Sequence, residues 1–104
     1  MKVRVAISKR RAKRLAAAVI VHSTELGTWE QLLYTVVDGR VSPFAMQSFE
    51  TLKQAIADAC GTLKTTPVDF VEMDEAEIEN YILKNTHNEW HPSQYKRVQR
   101  PREL

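Results

Sequence analysis

A chain of 104 residues, 43% hydrophobic and 27% charged, fits one domain with a single apolar core and excludes disorder along its whole length. Its formal net charge of +2 hides a sorting by position: +7 over residues 1–14, −8 over residues 15–95 and +3 over residues 96–104. The single cysteine, Cys60, excludes an internal disulfide framework, and no run approaches the roughly 18 apolar residues of a membrane span.

Residues 2–7 alternate, with Val3, Val5 and Ile7 on one side and Lys2 and Arg4 on the other, which predicts a half-buried strand. Ser8 stands where a helix N-cap would. Beyond it Ala12, Leu15, Ala16, Val19, Ser23 and Leu26 recur at helical spacing, with Gly27 as a C-cap, so a helix is expected from residue 9 to about residue 22. The β-branched Val19, Ile20 and Val21 support a competing reading, a shorter helix that gives way to a strand.

The strand formers of residues 32–37, followed by Asp38-Gly39 and then Arg40 and Val41, predict a hairpin of residues 30–37 with 40–46 around a type I′ turn. Pro43 cannot donate to a ladder and belongs near an edge. The rival is a helix over residues 29–38, since Thr28 and Gln31 have capping-box spacing. Ser48 is the expected cap of a second helix with Phe49, Leu52, Ile56, Ala59 and Cys60 on its apolar face and Gly61 as its stop. Val68, Phe70 and Val71 suggest a short strand. Met73 or Asp74 then opens a last helix, with Ile78 and Ile82 on its apolar stripe.

From Asn85 the pattern dissolves. The expected organisation is one globular domain over residues 1–84 and an extended or partly disordered tail over residues 85–104. The expected fold class is α+β: a small, mainly antiparallel sheet in the order β-α-β-β-α-β-α, helices on one face, and a polar C-terminal tail.

The cations of the head (Lys9, Arg10, Arg11, Lys13 and Arg14) would repel one another on a helix unless an anion lies close. Together with Lys96, Arg97 and Arg100 of the tail they are the candidate nucleic-acid-binding residues, contacting the phosphate backbone. The competing readings are a solvated face, neutralisation by the chain's own acids, or an acidic protein partner. Residues 69–79 hold six acids and no Lys or Arg, so Glu72, Glu75 and Glu79 are candidate partner-binding residues on an acidic docking face. Trp90 and Tyr95 join them, although packing on the body would also explain those aromatics. Self-association through a sheet edge is a further reading.

Chemistry has little purchase. His87 and His91 lack the glutamate spacing of a zincin, and no thiol pair completes a zinc site, so no metal or other cofactor is expected. Cys60 at a helix end on the apolar face is expected to be a buried, inert thiol, His22 has no placed carboxylate, and the three glycines form no phosphate-cradling motif. No catalytic residue is assigned. The apolar run of residues 15–21 is short for a leader, and no small-x-small cleavage site follows it. The expectation is a cytoplasmic, non-enzymatic accessory or regulatory protein without a membrane partner. Its leading role is to grip nucleic acid through a basic first helix and basic tail; the alternative is an interaction adaptor or inhibitor.

Overall fold

A computed structural model of the chain describes residues 1–10 and 14–90, apart from the side chains of Glu89 and Trp90. Five antiparallel strands, β1 (Lys2–Ile7), β2 (Leu15–Ser23), β3 (Thr28–Val37), β4 (Arg40–Phe49) and β5 (Val71–Asp74), lie in the order β4-β3-β2-β1-β5. Helix α1 (Leu52–Leu63) and a 3-10 turn at Pro67–Asp69 connect the two edge strands. A second 3-10 turn, Glu75–Glu77, leads into α2 (Ile78–Asn85), and a two-residue strand β6 (Glu89–Trp90) pairs parallel to Val36 and Val37. The class is α+β, as the element pattern implied.

The expected element order is corrected at its second member. No helix spans residues 9–22; residues 15–23 are strand, paired with β1 at Val5↔Val19 and with β3 at Val19↔Leu32. Residues 16–20 are all buried, because both faces of β2 are covered. A strand buried on both sides shows an unbroken apolar run, without the alternation that betrays a half-exposed strand. The alanines lower β propensity but serve the packing: Ala6 and Ala18 form the floor on which Ala59 and Leu63 of α1 rest.

The helices are corrected too, since they cover opposite faces. Helix α1 packs on Ala6, Ala18 and Leu33, whereas Ile82 of α2 packs with Val3, Val5, Val19 and Met73. The neighbouring positions Val5 and Ala6 of β1 are both fully buried, and adjacent strand residues point to opposite faces. Such a strand needs a covering layer on each side, and one helix supplies each.

The hairpin forms. Asp38 (φ 51°) and Gly39 (φ 75°) take the two positive φ angles of a type I′ turn, and pairing runs from Val37↔Arg40 to Trp29↔Phe49. A register shift after Leu33 leaves Phe44 as the extra residue beside Pro43, on an edge strand that tolerates both. Other local expectations move. Thr51, not Ser48, caps α1, through a reciprocal bond with Gln54. Gly61 lies inside that helix, and Lys64 takes the left-handed C-cap at φ 59°. Gly27 closes the β2–β3 turn at φ 69°. Met73 and Asp74 end β5 instead of opening a helix.

Candidate functional site

The acids and cations first meet along the β1–β5 edge. Lys2 and Asp74 are direct cross-strand partners with ionic groups 3.5 Å apart, and Arg4 and Glu72 are the next such pair at 3.9 Å. Lys9 reaches Asp69 at 3.3 Å. At least one partner of each pair is more than half exposed, so solvent screening leaves each pair a small contribution to stability. Their weight is organisational, because they assign three of the head cations to the chain's own carboxylates. Arg4 also lies 5.6 Å from the ring centre of Trp29, which stacks at 4.4 Å on His22, its opposite residue in β2.

Asp69 accepts the Thr66 backbone N–H at 2.7 Å and its hydroxyl at 3.1 Å. That backbone bond, seconded by Lys9, holds its carboxyl below the ordinary aspartate range. A depressed carboxyl contributes stability above its unfolded-state pKa and loses it as pH falls through the folded value. Asp69→Asn should therefore flatten the acid limb of the stability profile. A carbon-13 titration of the native protein should place the Asp69 midpoint below that of exposed aspartates.

Of the remaining head cations, Arg10 and Arg14 lie between β1 and β2 and not in a helix. The loop is fastened at its base. Lys9 N–H donates to the Leu63 carbonyl at 2.8 Å, Arg10 Nη1 to the Thr62 carbonyl at 3.4 Å, and Thr35 Oγ1 to the Arg14 carbonyl at 2.8 Å. Asn88, 4% exposed, completes the fastening: its Nδ2 donates to the Arg10 carbonyl at 2.6 Å and the Leu15 carbonyl at 2.7 Å. One amide thus bridges the two ends of the basic loop.

Strand directions gather further cations at this end of the sheet. Arg40 begins β4 opposite Val37, and exposed Lys64 follows Leu63, whose carbonyl holds Lys9. Asp38 in the hairpin turn is an acid at the same end. Lys9, Arg10 and Arg14 of the predicted set lie here, while Arg11, Lys13, Lys96, Arg97, Arg100 and Tyr95 fall outside the described residues. Trp90 contributes backbone pairing to Val37, and its side chain is outside the description. Sequence reasoning missed Arg40, Lys64 and Asn88. Arg40 was legible in principle, since a hairpin turn at residues 38–39 returns it to the end of the sheet where β3 stops.

The acidic candidates divide. Glu72 sits in β5 against Arg4, whereas Glu75 and Glu79 flank a groove of about 330 Å³ between α2 and the sheet. Its floor is Val19, Val21, Leu32, Tyr34 and Val41, and Ile78 forms the wall. Burial, then the nearby Glu75 carboxylate, raise the Tyr34 hydroxyl above the ordinary tyrosine range. On the same face of the sheet, two residues before Leu32 in β3, Glu30 accepts from Ser48 and Thr28, which holds its carboxyl below the usual glutamate range.

Cys60 is a half-buried free thiol in the last turn of α1, and Ser23 Oγ is occupied as acceptor for the Leu26 N–H. Among the described residues no three His, Cys, Asp or Glu side chains cluster as a metal would require, and no helix is long and apolar enough to cross a membrane. The chain matches no protein-family model, no curated protein and no solved structure.

Proposed function

We propose that the protein is a small non-enzymatic binding module whose basic loop end contacts the phosphate backbone of a nucleic acid. The observation that carries this reading is the fastening of the loop. Asn88 ties the Arg10 and Leu15 carbonyls together, so Arg10 and Arg14 are held at one end of the sheet although like charges repel. Exposed Arg14, Arg40 and Lys64 add charge at that end, and β6 brings the chain to Trp90 there, six residues before Lys96. Lys2 and Arg4, by contrast, face carboxylates of β5, so the contact rests on the loop and not on the whole head.

Binding of this kind releases counterions. Affinity for a mixed-sequence oligonucleotide should fall at least about tenfold between roughly 50 and 200 mM salt. Arg10→Glu with Arg14→Glu should remove most of it, while Lys2→Glu should change it little. Fluorescence anisotropy with single- and double-stranded probes measures this. Undetectable binding at low salt, or binding indifferent to the loop reversal, rejects the reading.

A further inference from the structure

We propose that the groove beside α2 docks a short cationic, amphipathic segment of a protein partner, seating aliphatic side chains on Leu32, Tyr34 and Val41 and lysines or arginines on Glu75 and Glu79. This surface is separate from the basic loop and does not depend on its role.

The groove exists because α2 is short. Its eight residues cover Val3, Val5 and Met73 but leave Leu32 and Tyr34 only half-buried. Met46, opposite Leu32 in β4, is 69% exposed and carries the apolar floor outward to the sheet edge. Apolar surface left open on one side, with a charged rim, is the anatomy of an interaction site.

Charge selects the occupant. The carboxylates of Glu72, Asp74 and Asp69 are answered by Arg4, Lys2 and Lys9. Glu75 and Glu79 have no ion pair among the described residues, and they flank the apolar floor. An acidic or neutral peptide would leave both carboxylates partly desolvated without a counter-charge, which penalises it. A cationic segment would supply that counter-charge while its apolar side displaces water from the floor. Glu75, in the 3-10 turn, and Glu79, in the first turn of α2, are four residues apart along one rim, a spacing suited to cations about one turn apart on a partner helix.

The test uses the full chain and a fluorescent twelve-residue peptide with leucines on one helical face and lysines on the other, with a leucine–glutamate peptide of the same pattern as control. The lysine peptide should bind and shift the NMR signals of Leu32, Tyr34, Val41 and Ile78. Glu75→Lys with Glu79→Lys should weaken it about tenfold or more. Met46→Glu, at an exposed position that does not threaten folding, should weaken it too, and Arg10→Glu with Arg14→Glu should not. Equal binding of both peptides, survival of binding in the Glu75 and Glu79 reversal, or shifts confined to the basic loop would overturn the proposal. So would contacts to Leu32 and Tyr34 in the free protein from residues 91–104 or from a second copy, because the groove would then already have an occupant.

Discussion

Asn88→Asp should be among the most damaging single-atom-scale changes in this protein, lowering stability by about 2–6 kcal/mol, the cost of two buried carbonyls losing their donors. The substitution preserves shape but replaces the Nδ2 group, which donates at 2.6 and 2.7 Å to Arg10 and Leu15, with a carboxylate oxygen facing two carbonyl oxygens. At 4% exposure the new charge has little water to offset it. Urea denaturation at neutral pH measures the loss. The sign is also specific: acidification, which protonates the introduced carboxyl and restores one donor, should recover part of the deficit. Asn88→Ala should fall between the two proteins and show no such recovery. If Asn88→Asp is as stable as the parent, the amide does not fasten the loop. The reading of the loop as a held, presented cationic surface would then lose its basis.

The second large effect is expected at Leu63. The buried positions of α1 are Ala55, Ala59 and Leu63, so one large side chain carries most of the apolar contact of its C-terminal half. Leu63→Ala should cost about 2–5 kcal/mol, the range for emptying a well-packed leucine site. The consequence should be local first. With only alanines left against Ala6 and Ala18, the last turns of α1 should lose hydrogen-exchange protection before the sheet does. Loss there would also loosen the Lys9 N–H bond to the Leu63 carbonyl and the Arg10 bond to Thr62, both of which need α1 in place. Uniform loss of protection across sheet and helix would show instead that α1 and the meander unfold as one unit.

How much of this was legible in the sequence depends on how local each determinant is. The β3–β4 hairpin was legible because two adjacent residues, Asp38 and Gly39, fix its turn and hence its pairing. β2 was not, because its burial on both faces depends on helices far along the chain, and its alanines imitate a helix until Ala59 and Leu63 are known to lie above them. The charge sorting was legible, but its outcome was not. That Lys2 meets Asp74 and Arg4 meets Glu72 is set by the β1–β5 register, a pairing between segments far apart in the chain. The candidate site shows the same division. Arg10 and Arg14 were found from composition. Asn88 was hidden because nothing in a His-Asn-Glu sequence says that its amide will lie between two carbonyls more than seventy residues away.

The pairing of β1 with β5 also imposes a timetable on the nascent chain. Translation delivers β1 first, and the meander β1-β2-β3-β4 can zip as it emerges, yet one flank of β1 stays open until residues 71–74 arrive. During that interval the exposed flank carries Lys2 and Arg4 with no opposing acids, and mutual repulsion between two such nascent strands guards against their joining edge to edge. On that order of synthesis the ion pairs would have a use before the fold is finished: their cationic halves would keep the waiting strand single until the acidic halves are synthesised.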